Sequence, residues 1–278
     1  MIAFAKGHGT ENDFVLLPDP DGELDRDGEA AYAELVRRVC DRRAGLGADG
    51  VLRVVPSAEA ADAAAMAADA EWFMDYRNAD GSAVEMCGNG IRVFARYLVE
   101  EGLAEPGEVS IATRDGVKTV RLGRAGDVTV DVGPARLLDT ERTVSVGDRT
   151  WPAVEVDVGN PHAVVFVDDL GEAGPLAEPP RAEPAFPDGV NVEFVAGRGH
   201  RHVAMRVHER GVGETRSCGT GACAVMVAAA ARDGQPGAGT YVVDVPGGRL
   251  TVTRRDDGSV ELTGPAVLVA RGTLDVGG

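Results

Sequence analysis

The sequence predicts an α+β fold of two pseudo-symmetric domains from a tandem duplication. Each is a mixed, mostly antiparallel sheet wrapped around a central apolar helix. Three observations carry that expectation. Short β-rich runs recur along the chain between Gly, Pro and Asp, the pattern of strands joined by tight turns. Two segments of helical length are apolar on most or all sides, which suits only a buried helix. The chain also repeats itself: MCGNGIRVFARYL at 86–98 resembles SCGTGACAVMVAA at 217–229, an offset of 131 from Cys87 to Cys218. RDGVKTVRL at 114–122 resembles PGGRLTVTR at 246–254, and VDVGPARLL at 130–138 resembles ELTGPAVLV at 261–269, in the same order and at offsets of 132 and 131. Self-similarity at one fixed offset marks a duplicated unit. Residues 1–132 are therefore expected to form the first domain and 133–264 the second. Residues 265–278 return to complete the first, because the equivalent segment after Gly133 opens the second.

The elements follow in order. Residues 29–43 carry Tyr32, Leu35, Val36, Val39 and Cys40 at helical spacing and predict an amphipathic helix. Residues 58–70 are Ala-rich with scattered acids and read as a solvated excursion. The first repeated helix takes 91–101, with Val93, Phe94, Ala95, Leu98 and Val99. Strands are predicted at 117–122, 128–132, 143–146, 154–156 and 163–167. The five prolines of 171–187 read as a surface loop. Further strands are predicted at 203–207, 241–245 and 250–253, and the helix at 222–231 is apolar all round.

Composition narrows the function classes. Of 278 residues, 44% are hydrophobic and 26% charged, the balance of a soluble globular chain with a sizeable core. Lys and Arg number 28 against 45 Asp and Glu, a net charge of −17. That balance argues against a nucleic-acid or anionic-membrane partner, which needs a basic footprint. Only Lys6 and Lys118 could anchor pyridoxal phosphate. No run reads as a signal peptide or spanning helix, and four cysteines are too few for a secreted disulfide scaffold. The expected location is the cytoplasm.

The repeated Cys-Gly-x-Gly turns carry the chemistry. The first turn of a helix has unsatisfied N–H groups and a positive dipole end. A thiol placed there is expected to lean toward thiolate, below its free pKa of about 8.5. The same amides can hold a carboxylate, and the glycines at 88, 90, 219 and 221 let backbone approach a ligand. Two such turns, each with a potential base, suit removal of a proton from one face of a carbon and its return on the other. That chemistry inverts a stereocentre without a cofactor. Cys40, on an apolar helical face, and Cys223, inside an apolar helix, read as inert core residues. No metal site is expected, because no Cys-x2-Cys or His pair stands at ligand spacing.

Five linked segments carry a resemblance: GTENDF (9–14), YRNADGSAVEMCGNG (76–90), GNPHAV (159–164), GVNVEF (189–194) and HERGVGETRSCGTGACA (208–224). Together they resemble the diaminopimelate epimerase family, within the broader group of cofactor-independent two-cysteine racemases that includes proline racemase. The resemblance runs from near the first residue to past Gly264. It implies epimerisation of LL- to meso-diaminopimelate, a step of lysine and cell-wall precursor biosynthesis, with Cys87 and Cys218 as the acid/base pair. It implies that the amides of Gly88, Asn89, Gly219 and Thr220 hold the reacting carboxylate. Asn12, Asn78, Asn160 and Asn191 would bind the polar groups of the substrate, and Arg210 its distal carboxylate. Glu209 and His162 would sit near the substrate amino group and the cysteines. It further implies no cofactor, no metal and a homodimer. Gln is common in the family where Gly50 stands here, so a side-chain contact is missing at that position. Three other readings remain open at this stage. A racemase of a monocarboxylate amino acid would leave Arg210 without a distal anion. A non-catalytic amino-acid binder would not need both cysteines. A dinucleotide enzyme would need a longer Gly-x-Gly-x-x-Gly turn than CGNG or CGTG.

Overall fold

A computed structural model describes residues 1–275 and divides the chain into two compact units. One comprises Met1–Val130 with the segment from Pro265 onward, the other Asp131–Gly264. The last three residues of the returning segment, 276–278, lie outside the described residues. The first unit begins with β1 (Ile2–Gly9), β2 (Asn12–Pro18), α1 (Glu29–Cys40), β3 (Gly50–Pro56) and β4 (Trp72–Asn78). It continues through α2 (Gly88–Glu100), β5 (Gly107–Thr113), β6 (Gly116–Leu122) and β7 (Val128–Pro134), whose last residues belong to the second unit. The second unit contains β8 (Arg136–Val146), β9 (Arg149–Asp157), β10 (Pro161–Phe166), β11 (Arg181–Glu183), β12 (Asn191–Gly199) and β13 (His202–Glu209). It ends with β14 (Gly213–Thr215), α3 (Gly219–Arg232), β15 (Gly239–Val245), β16 (Gly248–Arg254) and β17 (Ser259–Gly264); β18 (Val267–Leu274) returns to the first unit.

The two units share one strand order. In the first, neighbours run β18, β1, β2, β3, β4, β5, β6, β7. Their senses are antiparallel twice, then parallel, antiparallel, parallel, and antiparallel twice. In the second, β8, β9, β10, β12, β13, β15, β16, β17 repeat those senses pair for pair. β18 thus fills in the first unit the place that β8 fills in the second. The short strands β11 and β14 are additions, on β8 and β13.

Each sheet wraps its helix. α2 packs against β1, β2, β3, β4, β6 and β18, and α3 against β8, β9, β10, β12, β13, β15, β16 and β17. Every residue from Gly88 to Val99 is buried, and so is every residue from Gly219 to Ala230 except Thr220. α3 satisfies this by being apolar all round. α2 instead buries Arg96, whose guanidinium donates to the carbonyls of Gly123 and Gly126 at 2.7 and 2.8 Å in the β6–β7 turn.

The elements depart from the sequence expectation where local pattern and tertiary demand disagree. α1 ends at Cys40 rather than at 43, because residues 41–48 fold back and Leu46 and Ala48 donate to the carbonyls of Val39 and Cys40. The Ala-rich segment is largely exposed, as expected, but it is not without structure. It makes two short 3-10 turns, Ser57–Glu59 and Ala64–Met66, and buries Ala60, Ala63 and Ala70 against Phe73. Within the predicted loop 171–187, Arg181–Glu183 pairs with β8. β3 and β4 escape a pattern search because they are buried on both faces yet carry Arg53, Asp75 and Arg77 inward.

Those charges form a network. Arg53 pairs with Asp19 at 2.6 Å, Asp25 at 2.7 Å and Asp75 at 3.5 Å. Asp75 also receives Arg77 at 3.0 Å and Arg114 at 2.8 Å. Arg53 and Arg77 lie over the Tyr32 ring, 5.5 and 5.2 Å from its centroid, and so fasten α1 to the sheet. Asp75→Ala leaves buried guanidiniums short of a counter-charge and is expected to destabilise by about 3–5 kcal/mol. The check is a lowered urea midpoint with unchanged m-value; a shift below about 1 kcal/mol would deny the network its role.

Candidate active site

Both repeated cysteines are N-caps. The helices begin three residues earlier than their apolar runs, at Gly88 and Gly219, so Cys87 and Cys218 stand just outside in extended backbone (φ −138°, ψ 119° and φ −123°, ψ 119°). Each sulfur accepts a hydrogen bond from the amide three residues on, Gly90 N and Gly221 N, both at 3.4 Å. The Gly88, Asn89, Gly219 and Thr220 amides lie in the first turns, where no intrahelical carbonyl is available.

In the first unit Asn12 and Asn89 gather at Cys87. Asn12 Oδ1 accepts from Asn89 Nδ2 at 3.2 Å and lies 3.8 Å from Cys87 Sγ. The amide is oriented from its other side, where Nδ2 donates to Asp49 at 2.8 Å. Asp49 in turn accepts from Arg42 at 2.7 Å and from the Asp13 backbone at 3.1 Å. Beside it, burial opposes ionisation of Asp13, yet Arg42 and Lys6 hold that carboxyl down at about 2. Asn78 is engaged elsewhere: Tyr76 donates to its Oδ1 at 2.8 Å, and its Nδ2 donates to Ser82 at 3.3 Å. Gly50 has no room for a side chain, since a Cβ there would stand 2.4 Å from the Arg77 carbonyl.

The second unit surrounds its cysteine with ionisable groups. Cys218 is 5% exposed and lies 3.6 Å from the Thr220 hydroxyl. The Glu209 carboxylate acts on this thiol and accepts from the Thr215 hydroxyl. His162 Nδ1 lies 2.7 Å from Glu193, and its Nε2 lies 3.0 Å from Asn160 Oδ1. Asn191 Oδ1 accepts from the Arg210 backbone at 2.9 Å. The Arg210 side chain is exposed, its guanidinium 3.3 Å from the Asp188 carbonyl and apart from this cluster.

This environment corrects one expectation. The Cys218 thiol is buried and is not drawn toward thiolate. Burial, then the negative charges of Glu209 and Glu193, push it well above the ordinary thiol range, against the hydrogen bonds from Thr220 and the Gly221 amide. Burial likewise raises Glu209. The helix-start argument considered the amides and omitted two nearby acids. Iodoacetamide should label Cys218 slowly at pH 7–8, with the rate climbing only above pH 9, because only the thiolate reacts. Labelling already complete at pH 7 would contradict this. Cys40 is buried, with its thiol pushed up to about 12 by desolvation, and Cys223 is buried within α3.

Glu193 was not singled out from the sequence. The signal was available in GVNVEF: on a strand, Asn191 and Glu193 point to the same face. Among the described residues no cluster of three or more His, Cys, Asp or Glu is arranged to hold a metal, and no helix is long and apolar enough to cross a membrane.

The family model described as diaminopimelate epimerase matches residues 4–138 and 154–269. A diaminopimelate epimerase of Streptomyces coelicolor is 62% identical over 99% of this chain and 96% of its own. One from Thermobifida fusca is 51% identical over 98% of each. Among solved structures, a probable proline racemase from Agrobacterium radiobacter superposes with a TM-score of 0.71 at 17% identity, over 100% of this chain and 94% of that one. At that identity the likeness is one of fold.

Proposed function

The chain belongs to the diaminopimelate epimerase family and interconverts LL- and meso-diaminopimelate; from that premise we infer a two-base mechanism run by Cys87 and Cys218. One sulfur, as thiolate, takes the Cα proton. The electron pair of the broken C–H bond is held as an enolate of the α-carboxylate. The other sulfur, as thiol, delivers its proton to the opposite face and is left as thiolate. Amides of Gly88, Asn89, Gly219 and Thr220 stabilise the developing charge, the kind of preorganised donor that contributes most in such steps. In one direction Cys218 is the donor and Cys87 the base. The roles exchange in the reverse direction. The scheme uses no cofactor.

The observation that supports this reading is the twinned N-cap: two cysteines, each with its sulfur on a helix-start amide, in units of one topology. Arg210 would take the distal carboxylate, and Asn12, Asn78, Asn160 and Asn191 the remaining polar groups. Glu209 and His162 would serve orientation and proton balance. The step belongs to lysine biosynthesis, and cell-wall precursors would draw on the same product. A cytoplasmic homodimer, implied by the family resemblance, completes the reading; light scattering at twice the monomer mass would bear out the dimer. Purified protein given LL-diaminopimelate and no additive should yield the meso form by chiral chromatography. Turnover that requires added pyridoxal phosphate or nicotinamide cofactor would overturn the mechanism.

A further inference from the structure

The duplication supplies an internal control for the second unit's buried polar groups. In the parallel pair β2–β3, Phe14 is opposite Gly50, and Leu52 lies two residues on. In the equivalent pair β10–β12, His162 is opposite Asn191, and Glu193 lies two residues on. Phe14 therefore corresponds to His162, and Leu52 to Glu193. The helix starts agree. A Cβ on Gly90 would stand 3.3 Å from Leu52 Cδ2 and 3.5 Å from Phe14 Cζ, whereas one on Gly221 would stand 2.8 Å from Glu193 Oε1. Both pairs are 0% exposed.

The same place in the same fold is thus filled by Phe and Leu in one unit and by His and Glu in the other. Packing is met by the apolar pair. A buried ionisable pair is no better for stability than well-packed hydrophobic residues and is often worse. The pair is also incompletely satisfied, because Glu193 Oε2 has no hydrogen-bond partner. Its presence under the second helix start therefore calls for a role other than packing. Cys218 supplies one, since the Glu193 and Glu209 charges both act on that thiol and His162 acts on Glu209.

We propose that Glu193 is a positioning residue for the acid–base group of the second unit: its carboxylate holds the His162 ring through Nδ1 and so fixes Nε2 against the Asn160 side chain. An acid that fixes an imidazole's tautomer and ring angle can govern turnover without touching substrate. Gly221 admits the acid, because a side chain there would meet its oxygen. The proposal rests on the two-cysteine reading of the site.

The test uses full-length Glu193→Gln, the double variant His162→Phe/Glu193→Leu, which installs the first unit's pair, and Cys87→Ala. Glu193→Gln should remain folded, lose about tenfold to 100-fold in kcat with KM within about twofold, and shift the His162 ring-nitrogen signals in NMR. The double variant should melt no lower than the native protein and be at least as impaired in kcat. Native kcat in Glu193→Gln, an active double variant, or an activity loss that only tracks lost folded protein would overturn the proposal. If Cys87→Ala still turns over, the two-cysteine reading has failed and the proposal falls with it. If Cys87→Ala is inactive while Glu193→Gln is normal, the Glu193 proposal alone fails.

Discussion

Cys87→Ala and Cys218→Ala are each expected to lower epimerisation by at least about 10²–10⁴-fold, the range that a positioned acid or base contributes. The two losses need not add, because the reaction requires both a base on one face and an acid on the other. Neither variant should unfold. Each loses one N-cap acceptor, worth about 0.5–2 kcal/mol against a typical domain stability of 5–15 kcal/mol. Far-ultraviolet circular dichroism and melting would confirm the fold, and single-turnover assays with LL- and meso-diaminopimelate would give the loss in each direction. Cys40→Ala is the control, since that thiol is held above reach by burial. Near-native turnover in either of the first two variants would remove the assignment.

Arg210→Ala should weaken substrate binding by about 2 kcal/mol or more, roughly 30-fold in Kd, as truncation of one partner of a charge-assisted pair does. The guanidinium is exposed, hydrogen-bonded only loosely to the Asp188 carbonyl, and tethered through its backbone to Asn191. It is therefore available to an incoming carboxylate. Arg210→Lys should recover only part of the loss, because an ammonium lacks the planar fork that matches a carboxylate. Calorimetry on the three proteins reads this directly. Unchanged affinity in Arg210→Ala would place the distal carboxylate on another residue.

The architecture was legible because the duplication is written twice. Three matched segments at nearly one offset point to two units, and the strand senses repeat pair for pair. The apolar α3 could go only inside a sheet. What escaped was set by tertiary context. Arg53, Asp75 and Arg77 point inward on β3 and β4, so charges interrupt the apolar pattern of two strands that are buried almost throughout. The alanines at 60, 63 and 70 look solvent-tolerant singly and are buried in a cluster with Val55, Phe73 and Ala112 that only the fold assembles. At the site, motif reading put both cysteines just before a helix, where the structure has them. It misjudged the Cys218 thiol because the responsible acids, Glu193 and Glu209, come from other strands, 25 and 9 residues away in sequence. Asn78 and Arg210 stand out in the motifs, but their partners Tyr76, Ser82 and Asp188 become visible only in three dimensions.

Solvent deuterium incorporation during the first turnovers tests the two-base claim most directly. In heavy water, LL-diaminopimelate is taken to low conversion, and mass spectrometry reads both epimers after chiral separation. If one sulfur abstracts and the other delivers, the newly formed meso product carries one solvent deuteron at Cα while the remaining LL substrate stays unlabelled. Equal early labelling of the two epimers, or product that retains the original proton, would mean that a single base serves both faces and would contradict the account.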